Sequence, residues 1–346
     1  MFRFRFKNDI GIDLGTTNIL VYVRGRGIVL REPSIVALDK ATGRLLKIGE
    51  EAQKMLGRTP GGIVTIRPLS DGVISDYEMT ERMLREFIRR VTGFRLFKPR
   101  VLICVPGAVT EVEERAVIDA GIQAGARRVY LIEESLVAAV GANIDISHPD
   151  GHMIVDIGGG TTDIAVLSLN SIVEDASIKV AGDAFNEALI KYIKRRHNVL
   201  IGEQTAEELK IAIGCVFPRP EQLSREVKGR CLLTGLPRVV TITSSETIDA
   251  FEEVCTKIIE AIHGVLERTP PELVGDISAN GIVLSGGGSL LWGMDKTVEA
   301  RIGIQTRIAD DALSCVAYGT GKFLDKLGQM RDGTVNFLRR RQLARG

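Results

Sequence analysis

The sequence predicts an α/β protein with mixed sheets, built as two related halves, and three observations carry that reading. A segment recurs: Ile10-Gly11-Ile12-Asp13-Leu14-Gly15-Thr16-Thr17-Asn18, followed by Ile19 to Val23, returns as Ile154-Val155-Asp156-Ile157-Gly158-Gly159-Gly160-Thr161-Thr162-Asp163, followed by Ile164 to Leu167. Asp13 and Asp156 lie 143 residues apart, too long a period for a solenoid repeat and suited to duplication of a whole domain. Strand-type runs then alternate with helical periodicity after each copy. Finally, 346 residues with 45% apolar and 26% charged side chains exceed one ordinary core and match globular composition.

Each copy of the echo reads as a hairpin: a short apolar run, a glycine turn carrying hydroxyls, and a returning strand. Ser75-Asp76-Tyr77-Glu78 has the capping-box pattern and opens a helix with Met79, Met83, Phe87 and Val91 on one apolar face. Val101 to Val105 is a buried-type strand that ends at Pro106. Thr110 to Glu113 is a second capping box, starting a helix to about Ala124. Val129 to Ile132 is a strand that delivers Glu133 and Glu134 to its C-terminal end. No low-complexity linker separates the halves, and His148-Pro149-Asp150-Gly151 is the best hinge. Beyond the second hairpin, Phe185, Leu189 and Ile193 mark a helix and Thr205 to Glu208 gives a third capping-box pattern. Ile248, Phe251, Cys255, Ile258 and Ile262 mark a long helix, terminated by Pro270-Pro271.

Lys plus Arg number 45 against 44 for Asp plus Glu, so no global basic field points to nucleic acid. The five cysteines, Cys104, Cys215, Cys231, Cys255 and Cys315, form no CxxC pair, and the four histidines have no paired metal spacing. That pattern suits a reduced interior without a metal cluster. No run approaches the roughly 18 apolar residues of a membrane span, and the N-terminus lacks the features of a secretory signal. A cytoplasmic protein is expected, with peripheral membrane contact open.

A Gly-Thr-Thr turn has a physical reason to bind phosphate. Glycines let the backbone approach an anion, the freed amides point at it, and the threonine hydroxyls add donors. Asp13 and Asp156, each ending a strand, are placed to hold a hydrated Mg²⁺ through water between the hairpins. A third strand-to-glycine turn, Ile282 to Leu291, has Gly286, Gly287 and Gly288, against which a base or ribose can lie. Neither a Walker A sequence nor an ordered G-x-G-x-x-G is present. Each turn taken alone equally reads as a plain turn with an aspartate turn former. Three together, two of them near-copies, favour a phosphate clamp.

These hairpins, with Glu133-Glu134, Gly182-Asp183, Thr205 to Lys210 and Gly286 to Gly288, resemble the actin, heat-shock-chaperone and sugar-kinase superfamily. Within it the chain resembles the bacterial actin homologues of the MreB and Mbl family. That likeness is carried by Gly27-Ile28-Val29-Leu30-Arg31-Glu32-Pro33-Ser34, Gly57-Arg58-Thr59-Pro60-Gly61, Arg67-Pro68, Asp71-Gly72-Val73-Ile74 and Arg268-Thr269-Pro270-Pro271-Glu272-Leu273, and spans about residues 8 to 328. The resemblance implies an actin-like, duplicated ribonuclease-H-like fold: two lobes of two subdomains each around a nucleotide cleft. It implies a first lobe at 1–150 with a small subdomain at about 33–70, and a second at 151–315 with a small subdomain at about 183–245. A C-terminal helical segment, 316–346, would return to the first lobe and end in a basic tail.

By the same resemblance the nucleotide is ATP, with GTP left open, and the cation is Mg²⁺, positioned with its waters by Asp13 and Asp156. Gly15, Thr16, Thr17 and Asn18, with Gly158, Gly159, Gly160, Thr161 and Thr162, would bind the phosphates beside Gly182 and Asp183. Glu134, with Thr161 and Asp156, would form the catalytic group at the attacking water. Glu207, Glu208, Leu209 and Lys210 would hold the ribose or adenine, and Gly286, Gly287, Gly288 and Ser289 would flank the nucleoside. A carboxylate suits Glu134's role because it orients a water by accepting its proton in a hydrogen bond. Glu133-Glu134 equally suits a helix N-terminus, where the dipole favours acids, and one of the two is expected to have that part. Glu207, Glu208 and Lys210 equally read as charges on an exposed helix face. The family commonly has proline after the double glutamate, where this chain has Ser135, which leaves the strand-to-helix corner less stiff.

Phe2, Phe4 and Phe6 alternate with Arg3, Arg5 and Lys7, so an extended chain segregates aromatics from cations. This suits a weak anchor on anionic lipid, or an edge strand on the first sheet. Phe94, Leu96 and Phe97, flanked by Arg95 and Lys98, form an apolar loop that the resemblance assigns to the membrane. Phe337-Leu338-Arg339-Arg340-Arg341 is a basic tail, solvated or lipid-facing. The resemblance implies a homopolymer of paired protofilaments on the inner membrane face, working with membrane-embedded wall-elongation proteins to set rod shape, with slow Mg²⁺-dependent ATP hydrolysis as its switch. It places the helix from Thr110 to Ala124 between protofilaments. A kinase phosphorylating a small hydroxyl or carboxylate acceptor, and a plasmid-segregating actin, are the alternatives. A chaperone ATPase is disfavoured, because no β-rich peptide-binding unit follows the ATPase part before Gly346.

Overall fold

A computed structural model describes residues 9–92, 98–107, 109–325 and 327. Its frame is a pair of five-stranded sheets with the same strand order and sense. In the first, Arg128–Glu133, Arg100–Val105 and Ile10–Leu14 run parallel, and Asn18–Val23 and Gly27–Pro33 follow antiparallel. The second repeats this with Thr306–Ile308, Ile282–Ser285 and His152–Ile157 parallel, then Thr162–Ser168 and Ser171–Ile178 antiparallel. The sequence echo is thus a fold echo, and Asp13 and Asp156 occupy matching places: Asp13 pairs with Cys104 on the parallel neighbour, Asp156 with Ser285. The glycine turn after Ser285 is the counterpart of Val105-Pro106-Gly107, so the third turn is not a third hairpin.

Each half also carries a three-stranded sheet. Val36–Asp39 lies between Leu45–Ile48 and Ile63–Ile66; Ser224–Cys231 lies between Val199–Leu200 and Pro237–Thr243. Separate apolar cores fill the two halves, one around Ile12, Phe87 and Ile103, the other around Val155, Phe185 and Phe251. A third core, with Cys104 and Ile132 from one sheet and Ile154 and Ala165 from the other, joins them. All five cysteines are buried and unpaired.

The helical face Met79, Met83, Phe87 and Val91 is buried in helix Tyr77–Thr92, as its period predicts. Its cap sits one residue later than expected: Asp76 Oδ1 accepts the Met79 N–H at 3.0 Å, while Ser75 Oγ donates to Pro68 O at 3.0 Å. The Thr110–Glu113 box forms as read, at the head of helix Glu111–Gln123. The third pattern is not a cap, because helix Glu203–Ile213 starts after Gly202 and Thr205 lies inside its first turn. A box missed in the sequence, Thr243-Ser244-Ser245-Glu246, opens helix Ser244–Arg268, with Glu246 Oε2 accepting the Thr243 N–H at 2.9 Å.

Helix Glu134–Gly141 and helix Cys315–Leu324 cross beneath the gap between the large sheets. Glycine on both sides lets their backbones meet. A Cβ on Gly141 would lie 1.8 Å from Cys315 O, and one on Gly319 would lie 1.8 Å from Val137 O. Among the described residues no helix is long and apolar enough to cross a membrane. Phe2, Phe4, Phe6, Phe94, Leu96, Phe97 and the basic tail lie outside the described residues.

Candidate functional site

The two hairpin tips face each other across the gap between the halves. A Cβ on Gly159 would lie 1.8 Å from Thr17 Oγ1, and one on Gly160 would lie 2.8 Å from Thr16 Oγ1. Bulkier turns would hold the halves apart. Thr16 Oγ1 accepts the Gly72 N–H at 3.0 Å, which brings the Asp71-Gly72 turn over the tips. Gly72 has φ +77, and a Cβ there would lie 2.9 Å from Thr161 Cγ2, so both its conformation and its space call for glycine. Thr17 Oγ1 is buried with no hydrogen-bond partner, a donor free for an anion. Asn18 is exposed, and Gly15 sits against the Asn18 carbonyl. Thr162 Oγ1 donates to Val180 O at 2.7 Å, and the residue is paired in the sheet with Ile157 and Ile178, so its hydroxyl is already committed.

Beneath the tips lie Asp13, Glu134, Asp156 and Asp163. Asp13 is buried at 8% exposure, Asp156 at 4% and Asp163 at 3%; Glu134 is half-buried at the head of its helix. Burial pushes the Asp13 carboxyl up to about 7, with Arg31 opposing. Burial lifts Glu134 well above the usual carboxylate range, helped by the charges of Asp163, Asp13 and Asp156. Asp156 rises for the same reason, with Asp163 and Asp13 adding to burial. Asp163 is raised by burial too, opposed by the Ser177 and Thr161 hydroxyls and the Gly107 amide. Asp156 Oδ2 and Asp163 Oδ1 are buried without a partner.

Four acids close enough to shift one another, two of them with orphaned oxygens, suit a hard divalent cation. Among the described residues no group of three or more His, Cys, Asp or Glu is placed to hold a metal ion directly. Sequence reasoning missed Asp163 as a member of this group. Its signal was the hairpin register: Asp156 and Asp163 are cross-strand partners on either side of the glycine turn. Glu133 is buried at the strand end with φ −68 and ψ 135, so the corner is turned without a proline, and Ser135 is buried in the helix's first turn.

On the far side of the tips, the Gly182 and Asp183 amides donate to Gly158 O and Gly159 O at 3.1 and 2.8 Å. Lys210 Nζ donates to Gly182 O at 3.0 Å and to Glu207 Oε2 at 2.7 Å, and Glu207 also accepts from Asn186 Nδ2 at 2.6 Å. Leu209, at 1% exposure, is a core side chain, and Glu208 is exposed with its carboxylate on Gln204. The structure therefore gathers Glu207 and Lys210 at the phosphate turn but not the side chains of Glu208 and Leu209.

Gly286 closes the floor. It has φ +80, and a Cβ there would lie 2.3 Å from Asp156 Oδ1. Gly288 packs on Ile157, and Ser289 Oγ is turned inward to Gly286 O at 2.6 Å. Gly287 is exposed, and a Cβ on it would lie 3.2 Å from Leu313 Cδ2. Leu290 and Leu313 are 50% and 44% exposed, two apolar side chains near this turn that no sequence pattern had singled out.

Comparison with known proteins agrees with this geometry. The MreB/Mbl protein family model matches residues 7–332. Cell shape-determining protein Mbl of Bacillus subtilis (strain 168) is 50% identical over 326 residues, covering 94% of this chain and 98% of that protein. Cell shape-determining protein MreB of Escherichia coli (strain K12) is 48% identical over 332 residues, with 94% and 96% covered. Among solved structures, MreB5 of Spiroplasma citri, crystallised with AMPPNP and with ADP, superposes at TM-score 0.90 and 40% identity over 94% of this chain and 98% of that one. The MamK double helical filament, at 23% identity and TM-score 0.79, shares the fold. With the duplicated sheets, the facing hairpins and full-length likeness in agreement, the chain belongs to the MreB/Mbl family and has an actin-like fold.

Proposed function

We propose that the cleft binds ATP with Mg²⁺ and hydrolyses it slowly, as a switch on the assembly of this chain into a filament. Family membership makes the protein a cytoskeletal determinant of cell shape. The observation that carries the nucleotide reading is the pair of facing glycine-threonine turns above buried, partnerless acid oxygens. The AMPPNP and ADP bound to Spiroplasma citri MreB5 support adenine nucleotide as the ligand.

Asp13 and Asp156 would hold the hydrated cation, whose charge offsets that of the phosphates. Thr16, Thr17 and Asn18 with the turn Gly158 to Thr162 would bind the phosphate oxygens. Glu134, with Thr161 beside it, orients the attacking water and takes its proton on a carboxylate oxygen. Burial and acidic neighbours make Glu134 a stronger base than an exposed glutamate. Glu207 and Lys210 would hold the ribose or adenine, and Gly286 to Ser289 would flank the nucleoside.

The two halves act as lobes, 1–150 and 151–315, with the three-stranded sheets as their small subdomains and the C-terminal helix returning to the first. Filaments of paired protofilaments would lie on the inner face of the cytoplasmic membrane. Phe2, Phe4, Phe6, Phe94, Leu96 and Phe97 supply apolar anchors there, and membrane-embedded wall-elongation proteins are the partners.

Glu134→Ala tests the hydrolytic role. Phosphate release is expected to fall about 100-fold or more, as for loss of a positioned base, with Mg²⁺-ATP binding little changed. Unchanged phosphate release removes Glu134 from the mechanism.

A further inference from the structure

One ion pair joins the end of the first half's small sheet to the second half. Arg67 follows strand Ile63–Ile66 in the first half, and its Nη2 lies 2.5 Å from Oε1 of Glu203, the first residue of helix Glu203–Ile213 in the second. Apart from the neighbours Asp150 and His152, the other ion pairs among the described residues stay within a half or tie Arg24 to Asp325, and Arg31 Nη2 donates to Ser314 Oγ at 2.7 Å as a second, uncharged-partner link between the halves.

Glu203 is not an isolated anchor. Its helix carries Glu207 and Lys210; Lys210 Nζ reaches Gly182 O at 3.0 Å, and the Gly182 and Asp183 amides reach Gly158 O and Gly159 O at 3.1 and 2.8 Å. A continuous path of one helix and three hydrogen bonds therefore runs from Arg67 to the phosphate turn of the opposite half. The Arg67 guanidinium also acts on Asp183, where it and Lys210 oppose the upward push of burial on that carboxyl.

We propose that Arg67 is a positioning residue: by holding Glu203 of the other half it keeps the stretch from Arg67 to the Asp71-Gly72 turn, the roof over the hairpin tips, closed on bound nucleotide and sets the rate at which nucleotide leaves. The inference rests on the nucleotide reading given above. Arg67 and Glu203 side chains are 27% and 44% exposed, so the pair is partly screened and its loss should change a rate about two- to five-fold. Opening the roof requires breaking this pair, whereas the chemistry at Glu134 does not.

The test is stopped-flow dissociation of a fluorescent ATP analogue with Mg²⁺ from the full chain. Arg67→Gln and Glu203→Gln should each speed release about two- to five-fold. The double variant should release no faster than either single one, and the swapped pair, Arg67→Glu with Glu203→Arg, should restore slow release. Raising salt from about 0.05 to about 0.5 M should bring the unsubstituted chain toward the variants while leaving them nearly unmoved, a readout that needs no substitution. Singles without effect, additive singles, or a salt response equal in all chains overturn the proposal. Failure of the unsubstituted chain to bind the analogue overturns the nucleotide reading itself, which keeps the two failures apart.

Discussion

Asp13→Asn is the most informative perturbation of the cleft, because the same residue is expected to destabilise the empty protein and to serve the bound one. An unfolded aspartate titrates near 3.8, and burial lifts Asp13 to about 7 in the fold. The folded state therefore binds the proton more tightly, and its stability falls as pH rises from about 4 to about 7, then levels off. At about 1.36 kcal/mol per pH unit, the full gap is worth about 4 kcal/mol at pH 8 and less than half of that at pH 5, as an upper bound for one acid titrating alone. Asparagine has nearly the same shape and no charge. In nucleotide-free protein it should raise the melting temperature by about 5 °C at pH 8, taking an unfolding entropy of about 2 cal/mol/K per residue, and by about 2 °C at pH 5. Scanning calorimetry at the two pH values, with and without Mg²⁺ and ATP, reads both parts. The stabilisation that Mg²⁺-ATP gives the parent should largely vanish in the variant. An equal offset at both pH values would reduce the effect to packing and refute the electrostatic account. A variant less stable than its parent at pH 8 would refute it outright.

Two further substitutions test the scaffold and its outer face. Gly319→Ala forces a methyl group onto the Val137 carbonyl, 1.8 Å from the new Cβ, so the helix pair must separate at a cost of about 1–3 kcal/mol, read by urea unfolding. Val112→Glu alters a side chain that is 77% exposed on helix Glu111–Gln123, so stability should move by less than about 0.5 kcal/mol. If copies of the chain dock through that helix, sedimentation of polymer in Mg²⁺-ATP should drop sharply, and unchanged pelleting would clear the helix of that role.

What could be read from the sequence was mostly local. The hairpins were legible because a strand, a glycine turn and a returning strand are contiguous, and Met79, Met83, Phe87 and Val91 because a helical face repeats within 16 residues. Capping boxes were legible only in part. The Thr-x-x-Glu pattern at Thr205 also occurs inside a first turn, and nothing local distinguishes it from Thr243-Ser244-Ser245-Glu246, which does cap. The parallel pairing of Ile10–Leu14 with Arg100–Val105, across some 90 residues, has no local mark at all. Nor has the meeting of Arg67 with Glu203, since it requires both small sheets to be in place first.

Asp163 shows how a local reading stops short of the chemistry. In the motif it is the residue after two threonines, and a polar residue following a turn needs no special explanation. Antiparallel pairing sets it opposite Asp156, and burial of both strands by neighbouring elements then removes the water that would have screened them. Set opposite in this way, Asp163 raises the proton affinity of Asp156, and both raise that of Glu134. The cost is borne by the empty protein, and on the proposed function a cation entering with a nucleotide would relieve it. Nucleotide binding and tighter apposition of the two halves would then share one electrostatic cause, because the acids in need of relief come from both: Asp13 and Glu134 from the first, Asp156 and Asp163 from the second.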